Sequence, residues 1–324
     1  MTEEIRMQVD NHFIFDSKKL TIIMRKLITT GFVLVLIFTQ GLKAQQPNMI
    51  DELREARLDS LLNEVFFDDD DLSYLFGLKK NFQFLYWRSS FDSRTFFAGR
   101  EIGTQQHNLS GQLYYLHSKG FYAGVSGAWY SQLEPGYRTT ILTAGYSKGL
   151  KKMDFFRYRL SYDYFFFNND DPEFDPLYNS GLNAGISLKS KSLGTRFDAY
   201  FLLGDDVGTT LSWDAFAYVN LVRLGTYDQI RLEPEVSLYF GSELVEYQLN
   251  EVIIDPVTNI GYDYYYEDAF GLMNVQLQLP LNIKYKQFDF EAAWIYNVPQ
   301  TMGDGISYEK SSFFRFSLGY ILSL

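Results

Sequence analysis

The 324-residue chain has no cysteine, three histidines and eight prolines, and its 29 lysines and arginines are outnumbered by 40 aspartates and glutamates. Each shortage removes a class of protein. Without cysteine there is no disulfide scaffold, no thiol chemistry and no cysteine-held metal. A net charge of −11 repels phosphate, which argues against a nucleic-acid binder. Long apolar runs are also missing. The longest, Leu27 to Phe38, holds about a dozen residues, short of the roughly 20 that a membrane-spanning helix needs. A mean hydropathy of −0.17 likewise argues against a bundle of membrane helices. What the chain does have is a hydrophobic fraction of 46% and an aromatic fraction of 18%, enough to bury a core and too much for a disordered chain. Length alone, at about 150 residues per domain, would suggest two soluble domains. The patterning argues for one.

The N-terminus reads as export machinery. In residues 24–46, Arg25 and Lys26 form a positive start, Leu27 to Phe38 an apolar stretch, and Leu42-Lys43-Ala44 a small-residue cleavage site, the pattern of a secretory signal peptide. Residues 1–23 are polar and mixed, so Met24 is the expected start and 1–23 a gene-model extension. Cleavage after Ala44 would leave Gln45 as the first mature residue. In residues 45–79, Ile50, Leu53, Leu58, Leu61, Leu62 and Val65 recur near helical spacing before the run Asp68 to Asp71. Two readings of this helical periplasmic segment stay open: a plug or partner-binding helix, or a solvated leader. The aspartate run lacks the spaced ligands and glycine of a calcium loop.

From about residue 80 the period changes to two. In 272–285, Met273, Val275, Leu277, Leu279, Leu281, Ile283 and Tyr285 oppose Asn274, Gln276, Gln278, Asn282 and Lys284. In 230–240, Ile230, Leu232, Val236, Leu238 and Phe240 oppose Arg231, Glu233, Glu235, Ser237 and Tyr239. At the end, Phe314, Phe316, Leu318, Tyr320, Leu322 and Leu324 oppose Phe313, Arg315, Ser317, Gly319 and Ser323. Such alternation predicts strands with one apolar and one polar face. Twelve fit residues 80–324, one per about 20 residues, which suits a ~10-residue membrane strand with its connection. Soluble sandwich strands are nearer ~5–6 residues. The connections alternate as well. The even ones, 118–120, 149–154, 189–193, 225–228 and 286–288, never exceed six residues. Most of the odd ones, 91–104, 131–137, 168–178, 204–208, 242–268 and 299–309, are longer. Charge follows the same division: 18 acids against two arginines in the odd set, six lysines against Asp154 and Asp228 in the even set. A soluble sandwich has no reason to sort charge by end. The prediction is a single all-β, transmembrane, antiparallel up-and-down barrel of about twelve strands, with short periplasmic turns and long outer loops.

Trp87, Trp129, Tyr130, Tyr146, Phe165, Phe166, Phe167 and Trp294 are candidates for interfacial aromatic girdles. The terminal strand, with Phe314, Phe316 and Tyr320, resembles the strand by which such barrels are recognised for assembly, although Leu324 replaces the commoner terminal Phe. The hairpin SGQLYYLHSKGFYAGVSGAWYS (110–131) and the preceding SSFDSRTFFAGREIG (89–103) resemble the TorF-like porins of Gram-negative outer membranes, with Gly99-Arg100 in the opposite order to the usual one. The resemblance implies a small-solute porin role with no assigned catalytic residues.

Alternation also points twelve charged groups inward: Arg157, Arg159, Asp163, Arg196, Asp198, Asp214, Arg231, Glu233, Glu235, Asp289, Glu291 and Arg315. They suit either a selectivity lining or a structural network of paired charges that leaves little pore. The loop acids could bind divalent cations that bridge to lipopolysaccharide or a solute, and Tyr262, Tyr264, Tyr265 and Tyr266 in the longest loop could stack on a sugar or contact a partner surface; a soluble charged exterior is the alternative for each. No residues have metal-ligand spacing, and no cofactor is expected. A lipid-modifying enzyme would need a histidine beside its nucleophile, and only His107 and His117 lie in the mature chain. His107 has Asn108 and Ser110 nearby but no triad spacing, so no catalytic residue is assigned. The expected partners are outer-membrane lipid and lipopolysaccharide, the barrel-assembly machinery and a small polar solute. Non-conducting structural, adhesive or docking roles form the alternative.

Overall fold

The computed structural model describes residues 83–324, apart from 98–99, 102–105, 151–152, 169–175, 191, 206, 224–227, 255–260 and 303–307. The N-terminal extension, the signal peptide and the 45–79 segment lie outside the described residues. Twelve long strands follow one another: β1 (Gln83–Asp92), β2 (Asn108–His117), β3 (Phe121–Tyr130), β4 (Tyr137–Leu150), β5 (Met153–Phe167) and β6 (Tyr178–Lys189) form the first half. The second half is β7 (Leu193–Gly204), β8 (Val207–Ala217, resuming at Val219–Arg223), β9 (Gln229–Leu232, resuming at Glu235–Ile254), β10 (Gly261–Tyr285), β11 (Phe288–Pro299) and β12 (Ser311–Ser323). Each pairs antiparallel with its sequence neighbours, and β12 closes on β1 with Phe84 opposite Ser323 and Asp92 opposite Arg315. The result is a closed all-β up-and-down barrel of twelve strands.

The break in β9 falls at Glu233-Pro234, because proline has no N–H to give the ladder. The ladder survives around it: Ala217 N–H donates to the Pro234 carbonyl and Glu233 N–H to the Pro280 carbonyl, both at 3.0 Å.

Burial alternates along much of the sheet, most regularly in β1, β2 and β12. In β1, Phe84, Tyr86, Arg88, Ser90 and Asp92 are buried while their neighbours are not. The outward positions carry large apolar side chains, such as Trp87, Leu109, Leu160, Phe197, Leu279 and Phe316, each with 43–53% of its surface exposed. So extensive an apolar belt is stable only against an apolar surrounding. Among the girdle candidates, Trp87, Trp129, Phe166 and Trp294 face outward as expected. Tyr130 and Phe165 do not. They point inward and pack with Ile141, Tyr178, Tyr200 and Leu202, and Phe167 is partly buried against the same cluster. In a run of consecutive aromatics, composition cannot say which ring takes which face. Hydrogen-bond register can.

The longest expected loop is largely strand. Beyond Thr210–Gly241, the last pairing of β8 with β9, and beyond Asn274–Pro299, the last of β10 with β11, strands β9 and β10 continue against each other from Ser242–Phe270 to Ile254–Gly261. This stretch is rich in residues that favour extended backbone, among them Val245, Val252, Ile253, Ile254 and Tyr264 to Tyr266. The expected 204–208 loop shrinks in the same way, with β7 running to Gly204 and β8 starting at Val207. At the other end the strands are joined by turns of a few residues. One of these, Ser118-Lys119-Gly120, needs glycine because Gly120 has φ of 100°.

Inward tyrosines rest on glycines of the next strand. A Cβ on Gly124 would stand 2.2 Å from the Tyr114 ring, and one on Gly145 would stand 2.4 Å from the Tyr122 ring. Gly124→Ala should therefore cost about 1–3 kcal/mol, read as a lower urea midpoint for unfolding from detergent micelles. Gly111→Ala, where a Cβ meets nothing within 4 Å, should leave the midpoint unchanged or slightly raised.

Candidate functional site

The candidate site is the inner wall of the barrel. Because side chains alternate, every second residue of each strand is committed to it. All twelve charged groups expected there are found on the inward face. Arg157, Asp163, Arg196, Asp214, Arg231, Glu233 and Arg315 are buried, and Arg159, Asp198, Glu235, Asp289 and Glu291 are partly so.

The structure joins most of them into ion pairs that run around the wall. Arg196 of β7 donates through Nε to Asp214 of β8 at 3.1 Å and through Nη2 to Glu235 of β9 at 2.6 Å. One guanidinium thus ties three strands. Arg159 of β5 reaches Asp198 of β7 at 2.5 Å, and its Nε donates to Asn183 at 3.2 Å. The strand between them is crossed at Gly185, the register partner of both residues. A Cβ there would lie 1.9 Å from the Asp198 carboxylate, so the pair depends on that glycine. Arg231 donates to Glu233, two residues further along β9.

Three charged groups that the sequence reading passed over complete the network: Arg88, Asp92 and Lys284 are all buried and inward. Arg88 of β1 stands 2.9 Å from Glu291 and 3.8 Å from Asp289 on β11. The Glu291 contact is a charge pair without hydrogen-bond alignment, since Arg88 Nη2 has no hydrogen-bond partner. Asp92 receives Arg315 in a two-pronged pair, at 2.7 Å from Nε and 3.2 Å from Nη2. Parity carried the missing signal: Arg88 follows outward Trp87, Asp92 follows outward Phe91, and Lys284 lies on the polar side of its strand.

Among the described residues the charged groups named above come to seven cations and eight carboxylates, interleaved from β5 round through β12 to β1. Asp163 of β5 accepts from Thr143 at 2.7 Å and from Tyr200 at 3.3 Å. Across β2 to β4 the buried polar groups are neutral: Asn108, Ser110, Gln112, Ser126, Thr139, Thr143 and Ser147. An amide ladder covers β10 and β11, with Gln278 donating to Gln276 at 2.6 Å, and Gln276 and Asn274 both donating to Asn297 at 2.9 and 3.0 Å. The lumen has a charged arc and a neutral polar arc.

The two histidines hold local positions. The ring of His107 lies beside Phe91 at 5.7 Å and Trp129 at 6.1 Å. His117 Nδ1 accepts the Lys119 N–H at 3.0 Å and so caps the Ser118-Lys119-Gly120 turn. Tyr262, Tyr264, Tyr265 and Tyr266 lie on the β10 extension, and their side chains are outside the described residues.

No protein-family model matches the chain, and no curated protein matches its sequence. Among solved structures the chain is similar in fold to the KdgM porin, at 10% identity with a TM-score of 0.42, covering 73% of this chain and 98% of that one. The NanC porin is similar at 9% identity with a TM-score of 0.43, and covers 73% of this chain and 98% of that one. LpxR from Salmonella typhimurium matches at 10% identity with a TM-score of 0.36, over 73% of this chain and 99% of that one.

Arg196→Ala would leave Asp214 and Glu235 close together without their counter-charge. Removing one partner of such a buried network should cost about 3–5 kcal/mol, seen as a fall in the urea midpoint. Adding Asp214→Asn and Glu235→Gln to the same chain should recover part of the loss.

Proposed function

We propose that this chain is an exported outer-membrane barrel of a Gram-negative bacterium that lets small polar solutes pass through a narrow, charge-balanced lumen. One observation carries the reading. The inward face carries polar or charged side chains on every strand, between apolar clusters such as Ile141, Phe165 and Leu202, while the outward face is dominated by large apolar side chains. A barrel that merely filled its interior could do so with apolar side chains, avoiding the desolvation cost of buried charge. An even strand count puts the start of β1 and the end of β12 on one side, the side of the short turns, which in outer-membrane barrels is the periplasm. The lysine-bearing turns then face the periplasm, and the acidic connections face outward toward lipopolysaccharide.

The resemblance of residues 89–131 to TorF-like porins agrees with this reading. So does the terminal strand β12, which offers the barrel-assembly machinery an aromatic outward face. With cations and carboxylates interleaved, the lumen should select by size and polarity more than by the sign of charge. Twelve strands enclose less space than the open porins of 16–18. No catalytic role is proposed for His107 or His117.

A second reading, a non-conducting barrel with a structural or docking role, draws on the low exposure of the lining: 5% for Arg88, 4% for Asp92 and 3% for Arg196. Planar-bilayer recording from folded, heat-modifiable protein separates the two. The porin reading predicts small discrete conductance steps with weak preference between cations and anions. Absence of steps from folded protein would overturn it in favour of the second.

A further inference from the structure

Six inward side chains at the short-turn end of β12, β1, β2 and β3 are apolar or aromatic. Phe84 lies opposite Leu116 and Leu116 opposite Tyr122; one row deeper, Tyr86 lies opposite both Ile321 and Tyr114. Phe84 and Leu116 have none of their surface exposed, and the other four are buried as well. Phe84 and Tyr122 are the second residues of their strands and Leu116 the last but one of its own, so the patch sits at the mouth of the barrel. Water against such a patch is unfavourable.

The rim beside the patch is cationic. Lys119, Lys148, Arg223 and Lys286 stand exposed at the same end. Among the described residues none of these four side chains is in an ion pair, and Asp228 accepts only the backbone N–H of Lys286, at 2.7 Å.

The chain enters β1 at this end, and the stretch before it supplies both complements. Asp68 to Asp71 are four consecutive carboxylates, and Leu72, Tyr74, Leu75, Phe76 and Leu78 follow at once. Length suffices as well. Twelve strands about 4.8 Å apart and tilted by about 40° enclose a mouth roughly 24 Å across. The chain from Asp71 to Gln83, fully extended, reaches about 40 Å.

We infer that residues 68–80 fold back across the short-turn mouth, with Leu72, Leu75, Phe76 and Leu78 on the apolar patch and Asp68 to Asp71 on the rim cations. The inference does not rest on the porin reading. Absence of cysteine from the chain lets a single thiol report on the patch. Leu116→Cys, and separately Ile321→Cys, is reacted in the folded full-length barrel with a small charged methanethiosulfonate, and heat-modifiability on gels confirms folding of each chain. Labelling should be slow in the parent sequence and rise about tenfold or more when Leu75→Asp and Phe76→Asp are added, because protection depends on the closed state. Exchange of all four aspartates for asparagine should raise it about threefold, the scale of exposed charge pairs. Equal labelling with and without Leu75→Asp and Phe76→Asp would overturn the inference. Protection that falls on dilution in detergent and ignores these substitutions would assign the patch to a second copy, and overturn it too.

The unaltered chain gives a complementary readout. Carbodiimide joins a carboxylate to an amine in contact with it, so mass spectrometry should find amide links within one chain from Asp68–Asp71 to Lys119, Lys148 or Lys286. These should be lost at about 1 M salt. Links confined to other carboxylates would overturn the placement of the aspartates.

Discussion

Everything in this molecule depends on one closed ring of backbone hydrogen bonds. A strand in hydrocarbon has no water to satisfy its N–H and C=O groups, so an open sheet edge there is prohibitively costly. The pairing of β12 with β1, from Phe84–Ser323 to Asp92–Arg315, removes the last two edges. It also sets the parity of every strand. A slip by one residue would exchange the faces, driving Trp87 inward and Arg88 into the apolar surrounding. The outward belt, the polar lumen and the ion pairs across strands are consequences of closure in this register.

Inside the barrel the problem is reversed. Among the described residues, the fifteen charged side chains named above share one inner wall, and each would be costly if left desolvated and alone. Their sequence positions let them neutralise one another around the circumference. Arg196 spans β7 to β9, Arg159 spans β5 to β7, and Arg88 and Arg315 span the closure between β11, β12 and β1. Space for these contacts is made by leaving side chains out. Gly185 opens the path from Arg159 to Asp198, and Gly124 and Gly145 let tyrosine rings lie against the wall.

Much of this was legible in the sequence, because alternation is a direct imprint of a two-faced strand. Strand number, the division between short and longer connections, and the inward placement of residues such as Arg231 and Glu233 follow from it. Alternation weakens where neighbouring residues are chemically alike. The run Phe165-Phe166-Phe167 reads as apolar on both faces, and only the pairing of β5 with β4 separates inward Phe165 from outward Phe166. In 242–268 the acids masked a strand tendency carried by β-branched and aromatic residues, so a ladder was expected to be a loop. The tertiary contacts were the least legible. Nothing in the string shows that Arg159 reaches past a glycine to Asp198, or that Phe96, from a connection expected to face outward, returns to Phe313.

The central claim is that one face of each strand meets lipid and the other a polar lumen. Tryptophan reports on it directly, because the four tryptophans, Trp87, Trp129, Trp213 and Trp294, all face outward with 37–43% of their surface exposed. Intrinsic fluorescence should be recorded from the folded barrel in bilayers of ordinary and of chain-brominated phospholipid, with aqueous iodide as the comparison. Strong quenching by the brominated chains and little by iodide is the predicted result. Fluorescence that ignores the brominated lipid and is quenched by iodide would contradict it.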